Sequence, residues 1–184
     1  MAVDGYTQPG ATASTDPRIS NAIIGIELDG ALSGNAATGL TLNGSGNTVR
    51  GLAIQGFEIE SLRINGVGAM VAGCYFGTDA GGRNLIGGSD TDNHVQVSAS
   101  GGGSIGGPQP ADRNVFGDAR YAVRLAANSG PSLVANNLIG LSADGSIEIG
   151  QRFVAIIVLG ADDAEIRGNV VAGSRGQALF VGDS

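Results

Sequence analysis

Several residue types that often carry chemistry are rare in this sequence. Its 184 residues include no Trp and no Lys, one Cys and one His, and aromatic residues make up only 4%. The lone Cys74 excludes an intrachain disulfide framework and a Cys-x-x-Cys metal site. The shortage of aromatic rings weakens the case for a site that stacks sugar rings.

Positive charge and long apolar runs are scarce as well. All ten basic residues are Arg, against seventeen acidic residues, and the net charge is −7. This balance argues against nucleic acid or an anionic membrane surface as a partner. No apolar run approaches the roughly 18 residues of a membrane span, so we expect no membrane insertion. The N-terminus lacks the basic and apolar regions of a signal peptide.

Glycine, by contrast, is abundant, with 33 of the 184 residues against a usual level of roughly 7%. The glycines are interleaved with Val, Ile and Leu along the chain, which indicates recurring turns rather than a disordered segment. The length suits one domain with a continuous core.

A unit of three short apolar strands recurs along the chain. Each unit opens with an apolar-x-apolar first strand, and a second and a third strand follow after polar or glycine-rich turns. The first strands contain Leu40/Leu42, Leu62/Ile64, Val95/Val97, Val123/Leu125, Ile156/Val158 and Leu179/Val181. The second strands are led by Val49, Val71, Ile105, Val134 and Ile166, and the third strands by Ile54, Phe76, Phe116, Ile139 and Val171.

Loops of different length separate these units, whose opening residues lie 22, 33, 28, 33 and 23 positions apart. The excess lies in inserted loops at 77–88, 107–113 and 140–151. A β-sandwich would need longer hairpin-joined strands, and a calcium-binding roll would need a nonapeptide repeat that is absent. The pattern therefore predicts an all-β, right-handed parallel β-helix, a solenoid of about six rungs with three short strands each, over residues 1–184.

Asparagines recur at the bend between the second and third strands. Asn114, Asn137 and Asn169 occupy this bend in three rungs, and Leu52 and Cys74 occupy it in two others. Stacked one rung, about 4.8 Å, apart, the asparagines can bond each other's amides along the coil. We expect a structural ladder there, with Cys74 as a buried, inert thiol.

The phrases VDGYTQPGA, IELDG, NTVRGLAIQGF, FGTDAGG and SIGG…DRNVFG resemble those of bacterial parallel β-helix repeat proteins of the pectin-lyase-like superfamily. The resemblance covers nearly the whole chain. It implies a secreted or cell-surface bacterial protein, and a chain that is a fragment of, or homologous to part of, a longer β-helix. It specifies activity poorly, because this architecture hosts lyases, hydrolases, adhesins and structural stalks.

The catalytic motifs of such relatives are missing. Their hydrolases use a Gly-His-Gly motif and a basic pair containing Lys, and their lyases use a calcium-binding carboxylate cluster with a basic proton abstractor. This sequence has no Gly-His-Gly and no Lys, so we assign no catalytic residue. The segment SDTDN at 89–93 offers alternating oxygens for calcium but lacks the Gly and distal Glu of an EF-hand loop. We expect no cofactor, with calcium at 89–93 left open.

The outward face of the first strands carries the active sites of polysaccharide-degrading relatives. Arg63 and Arg124 should lie there about two rungs, or roughly 10 Å, apart, with Gln96 between them. The loop 77–94 should bring its acidic residues and His94 towards the same edge. The candidate binding residues are Arg63, Gln96, Arg124, Asp79, Asp90 and Asp92. They could bind an acidic or hydroxyl-rich chain through Arg forks, or form a solvated stripe of paired charges.

Three functions stay open. The missing motifs and the small size favour a non-catalytic structural or binding module that contacts polysaccharide. The alternatives are a polysaccharide lyase or glycoside hydrolase that uses Arg63 or Arg124, and a small free-standing β-helix. No capping helix is visible before residue 19, and ALFVGDS ends partway through a rung. We therefore expect either a fragment of a longer coil or ends that are covered by another copy, with self-association through the terminal rungs.

Overall fold

The computed structural model describes residues 1–34, 36–85, 91–98 and 102–183. These residues form eighteen short strands and two 3₁₀ turns, Gly5–Thr7 and Pro110–Asp112. In chain order the strands are β1 (Ala2–Asp4), β2 (Glu27–Asp29), β3 (Thr38–Leu42), β4 (Thr48–Arg50), β5 (Ala53–Gln55), β6 (Glu60–Ile64), β7 (Ala69–Ala72), β8 (Tyr75–Phe76), β9 (Asn93–Val97), β10 (Gly103–Gly106), β11 (Val115–Phe116), β12 (Tyr121–Leu125), β13 (Leu133–Ala135), β14 (Leu138–Ile139), β15 (Val154–Leu159), β16 (Glu165–Arg167), β17 (Val170–Val171) and β18 (Leu179–Gly182). No helix in the described residues is long and apolar enough to span a membrane.

Every third strand belongs to the same sheet, and each of the three sheets is parallel and has six strands. The first-strand sheet contains β3, β6, β9, β12, β15 and β18; the second-strand sheet contains β1, β4, β7, β10, β13 and β16; the third-strand sheet contains β2, β5, β8, β11, β14 and β17. Crossover connections between parallel strands of one sheet are right-handed. The fold is therefore a right-handed parallel β-helix of about six rungs, as the sequence predicts.

The predicted columns of apolar residues are also observed. Leu40 pairs with Leu62, and the column continues through each later rung to Leu179. The columns through Val71 and Phe76 are equally regular. In the middle rungs these side chains are fully buried, and the rings of Phe76 and Phe116 stack at 4.9 Å. Each such burial contributes about 1.5–3 kcal/mol to folding.

Two strands near the N-terminus are absent from the sequence-based prediction. β1 pairs with β4, which places Val3 beside Val49, and β2 pairs with β5, which places Leu28 beside Ile54. The chain between them, residues 5–26, leaves the coil and returns. This long excursion hides the rung spacing by which the other strands are recognised.

Part of the excursion, residues 11–25, forms a strap on the outward face of the third-strand sheet. Ile24 of this N-terminal strap is buried in a second apolar cluster with Ala53, Tyr75, Val115, Leu138 and Ala143. The hydroxyls of Ser20 and Tyr75 lie 2.9 Å apart, and the backbone N–H of Ser20 donates to the Ala143 carbonyl. The strap thus covers a sheet face that would otherwise expose apolar side chains.

The two inserted loops that follow third strands are alike. A bridge between Thr78 and Leu85 closes one, and a bridge between Leu141 and Glu148 closes the other. They also contact each other, since the Ala143 N–H donates to the Gly82 carbonyl at 2.8 Å. Gly82 has a φ of +64°, and a Cβ there would meet the Ala143 Cβ at 2.6 Å, so a larger residue would push the loops apart.

Candidate functional site

The outward residues of the first strands form a ladder in register. It runs through Thr41, Arg63, Gln96, Arg124, Ile157 and Phe180. The central three side chains, Arg63, Gln96 and Arg124, are partly exposed. They line one shallow groove on this sheet, which we call the first-sheet groove. Asp92 lines the same groove, so the structure brings together four of the six predicted binding residues.

A second ladder lines the same groove. Glu60, Asn93 and Tyr121 stack in register and lie three positions before Arg63, Gln96 and Arg124 respectively. All three line the groove, as do Arg120 and Asp92. Of these five residues, only Asp92 is predicted from the sequence. The constant offset of three positions from the outward residues is a signal that could have identified Glu60, Asn93 and Tyr121, but Arg120 lies four positions before Arg124 and carries no such signal.

One end of the groove is neutralised by an ion pair. Arg63 Nε and Nη2 donate to the two carboxylate oxygens of Glu60 at 2.6 and 2.9 Å, and Glu60 is 1% exposed. These bonds raise the pKa of Arg63. The geometry fixes the guanidinium in place, so Arg63 presents an oriented but charge-compensated surface.

Arg124, in the middle of the groove, is bonded to an amide rather than to a carboxylate. Arg124 Nη1 donates to Gln96 Oε1 at 2.7 Å, and Gln96 Nε2 donates to Ser98 Oγ at 2.7 Å. Among the described residues, no carboxylate forms an ion pair with Arg124. The positive charge of Arg124 is therefore available to an anionic ligand.

Aromatic and acidic groups border Arg124. The guanidinium carbon of Arg120 lies 5.4 Å from the ring centre of Tyr121 and 5.9 Å from that of Phe153, and Arg120 Nη1 lies 3.7 Å from Asp92 Oδ1. The rings of Tyr121 and Phe153 meet edge to face. This arrangement gives the groove an apolar edge beside its charged floor.

Two of the predicted acidic and basic groups are not in the groove. Asp79 accepts hydrogen bonds from the Asn84 side chain and from the backbone of Arg83 and Asn84. Burial acts to raise the pKa of Asp79, but these hydrogen bonds outweigh it and lower the pKa. The carboxylate therefore stabilises its own loop. His94, expected at the same edge, is fully buried instead. Its prediction as an edge residue is wrong because the chain turns it inwards to Ser61.

The remaining predicted acidic site lies partly beyond what the structure describes. Asp90 falls outside the described residues, as do residues 86–89 of the same loop. The calcium hypothesis for residues 89–93 therefore stays a prediction. In the described ranges, no group of three or more His, Cys, Asp or Glu side chains could hold a metal ion.

The asparagines of the bend form a continuous hydrogen-bonded ladder inside the coil. Asn114 Nδ2 donates to Asn137 Oδ1, and Asn137 Nδ2 donates to Asn169 Oδ1, both at 2.9 Å. At the other end, Asn114 Oδ1 accepts from the backbone N–H of Cys74. Each asparagine also donates to a carbonyl of the preceding rung. The side-chain amides of all three asparagines are thus engaged in hydrogen bonds within the coil, so we assign them a structural role and not a ligand-binding one.

Comparison of the chain with protein-family models, curated proteins and solved structures finds no match. The site must therefore be interpreted from its own geometry. Its main features are two ladders of side chains in register and a guanidinium, that of Arg124, without an ion-pair partner among the described residues, on a protein of net charge −7.

Proposed function

We propose that the chain is a non-catalytic binding module, of the pectin-lyase-like type and from a secreted or cell-surface bacterial protein, that holds an acidic polysaccharide in the first-sheet groove. The observation that carries the proposal is Arg124, which is partly exposed and hydrogen-bonded only to Gln96 in the described chain. A guanidinium fork suits the carboxylate of a uronic acid residue.

The groove supports an extended ligand rather than a point contact. Arg63, Gln96 and Arg124 repeat at the rung spacing of about 4.8 Å, so hydrogen-bonding groups recur along the coil axis. The edge formed by Tyr121 and Phe153 can pack against the apolar face of a sugar ring. Such a row of contacts fits a polymer that lies along the sheet.

The sole histidine and the sole cysteine contribute nothing to such a surface. His94 and Cys74 are both fully buried. Burial lowers the pKa of His94 to about 4 and raises the pKa of Cys74 to about 12. Neither side chain reaches the groove as a base or a nucleophile, which supports binding over catalysis.

Titration calorimetry with polygalacturonate fragments and with neutral dextran tests this proposal. We expect the acidic polymer to bind, and the affinity to fall as salt is added. Arg124→Gln should weaken binding about tenfold or more, because a charge-assisted hydrogen bond is lost. Arg167→Gln is the matched control, since Arg167 is paired with Glu165 on another sheet.

Three results would overturn the proposal. One is equal weakening by Arg124→Gln and Arg167→Gln, and another is the absence of binding to any acidic polymer. The third is the appearance of unsaturated products or new reducing ends in the same mixtures. That last result would favour the lyase or hydrolase alternative and direct attention to Arg63 and Arg124.

A further inference from the structure

The sequence contains two Asn-Gly pairs, Asn43-Gly44 and Asn65-Gly66. They directly follow β3 and β6, so they occupy the same turn in neighbouring rungs of the coil. Both asparagines are exposed. Because glycine has no Cβ, its backbone nitrogen can approach the side-chain carbonyl carbon of the preceding asparagine closely. The fold thus holds one reactive dipeptide in two stacked positions, whose surroundings differ.

At Asn43 the groups that must react are unrestrained. The backbone N–H of Gly44 donates no hydrogen bond to the described residues, and Gly44 is exposed. Asn43 Nδ2, which would have to leave, also has no acceptor in the described structure, whereas Asn43 Oδ1 accepts from Asn65 Nδ2 at 2.9 Å. A donor on this oxygen stabilises the negative charge that develops there when a nucleophile attacks the carbonyl carbon.

At Asn65 the corresponding groups are held. The backbone N–H of Gly66 donates to the Leu42 carbonyl at 2.9 Å, and Gly66 is buried. A Cβ on Gly66 would collide with the Gly44 carbonyl, which shows how closely the two turns are packed. Asn65 Nδ2 is engaged by Asn43 Oδ1. Reaction at Asn65 therefore requires hydrogen bonds to break that do not exist at Asn43.

We propose that Asn43 is a site of spontaneous deamidation and that the fold protects Asn65 from the same reaction. The Gly44 backbone nitrogen attacks Asn43 Cγ, and the new C–N bond closes a succinimide ring. The bond between Cγ and Nδ2 breaks, and Nδ2 leaves as ammonia with the proton of the Gly44 amide. Water then opens the ring at either carbonyl carbon, which gives aspartate or isoaspartate without any oxidant or reductant.

The modification would alter the turn between β3 and β4. The Gly44 carbonyl accepts from Asn47 Nδ2 at 2.7 Å, and the Gly46 N–H donates to the Val67 carbonyl at 2.8 Å. Isoaspartate adds a carbon atom to the backbone just before these bonds, and either product adds a negative charge. The site therefore changes the coil locally, and it stands whether or not the first-sheet groove binds a polysaccharide.

Peptide mapping after incubation of the native chain in mildly alkaline buffer tests the proposal. Trypsin places Asn43 in peptide 19–50 and Asn65 in peptide 64–83. We expect the mass gain of an amide-to-acid conversion to appear about tenfold or more faster at Asn43, because Asn65 must first lose hydrogen bonds. In denaturant the two sites should react at similar rates, since each is then an unstructured Asn-Gly pair.

A Gly44→Ala variant tests the route through the succinimide. The φ of Gly44 lies outside the left-handed region, and the nearest atom to a Cβ there would be Asn47 Nδ2 at 3.2 Å. Alanine therefore fits with a small shift of one side chain. Its methyl group should slow ring closure at Asn43 by about tenfold or more.

Three outcomes would overturn the proposal. Equal rates at Asn43 and Asn65 in the folded chain would show that the fold gives no selectivity, and a faster reaction at Asn65 would reverse it. Loss of the Asn43 amide at the native rate in Gly44→Ala would mean that water attacks the side chain directly. The comparison of the two asparagines needs only the native chain, so it decides the selectivity even if the variant does not fold.

Discussion

The single histidine, His94, lies in strand β9 of the first-strand sheet and is fully buried. His94 Nδ1 is 3.0 Å from the Ser61 hydroxyl, and the ring lies near Phe76 and Phe116. Its other nitrogen, Nε2, has no hydrogen-bond partner in the described structure. A protonated imidazole would therefore be a buried charge without a compensating anion, which the surroundings disfavour.

Mild acid should destabilise the fold through this residue. Burial lowers the pKa of His94 to about 4, whereas an unfolded histidine titrates near 6.5. Below pH 6.5 the unfolded chain takes up a proton that the folded chain refuses until the pH approaches 4. We expect the free energy of unfolding to fall by about 3 kcal/mol over this window, as measured by urea denaturation at each pH.

A His94→Gln variant isolates this contribution. Asp118 acts with the opposite sign in part of the same window, because burial raises its pKa and the folded state then gains stability as protons bind. The variant keeps Asp118 and loses His94, so its stability should vary less with pH than that of the native chain. Parallel pH curves for the two proteins would contradict the assignment to His94.

At the scale of elements, the N-terminal strap depends on one side chain. Arg113 is 4% exposed, and its guanidinium donates to the carbonyls of Asp16, Pro17 and Ile19 at 3.1, 2.7 and 2.6 Å. A further bond reaches the Asn136 carbonyl at 3.2 Å. Arg113 thus fastens the strap to the body of the coil.

Replacing Arg113 should release the strap while the coil stays folded. In Arg113→Met the carbonyls of Asp16, Pro17 and Ile19 lose their hydrogen bonds to a charged donor, each of which contributes about 1.5–3 kcal/mol. The backbone at Arg18 should then become accessible to trypsin. We expect cleavage after Arg18 to accelerate by about tenfold or more, as measured by mass spectrometry of timed digests.

The control for this experiment is Arg167→Met, which also removes an arginine but lies on the second-strand sheet. Its digestion at Arg18 should match that of the native chain. Equal rates at Arg18 for Arg113→Met and the native chain would show that Ile24 and Ser20 alone hold the strap. Loss of all protection along the chain would show instead that Arg113 supports the whole coil.

All strands of the described structure except β1 and β2 are predictable from the sequence, whereas the strap is not, for a physical reason. Columns such as Leu62, Val95 and Val123 repeat because each strand of a β-helix meets the same interior. The strap has no such repeat. Its partners are set by Arg113, which bonds to carbonyls 94 to 97 positions earlier in the chain, and no local pattern records that distance.

Only part of the groove is predictable from the sequence, because strand alternation accounts for some of its residues and not for others. Strand alternation places Arg63, Gln96 and Arg124 outwards, which the register bears out. Within β6, however, the consecutive residues Ser61 and Leu62 are both fully buried. The alternation therefore breaks there, and Glu60 also lines the groove. The sequence predicts Asp79 near the groove because its loop precedes β9. In the structure its carboxylate is instead held by hydrogen bonds to Arg83 and Asn84 of the same loop.

At the scale of the whole molecule, the two terminal rungs differ in how well their apolar residues are covered. Val3, Leu28 and Leu40 of the first rung are partly buried. At the other end, Leu179 and Val181 continue the interior columns of Ile156 and Val158 but are 46% and 67% exposed. The strands β16, β17 and β18 are also the last of their sheets, so their outer edges are unpaired in the described structure.

The 184-residue chain should therefore self-associate through this face. Unpaired strand edges that carry exposed apolar residues are templates for pairing with another chain, and stacking a second copy would bury Leu179 and Val181. We expect multi-angle light scattering to show a mass that rises with concentration. Val181→Asp should shift the chain towards the monomer, whereas Val67→Asp, at a valine that is 53% exposed in a lateral turn, should not. A native chain that is monomeric at every concentration would contradict the prediction. An equal effect of both substitutions would place the association elsewhere, since of the two valines only Val181 continues an interior column.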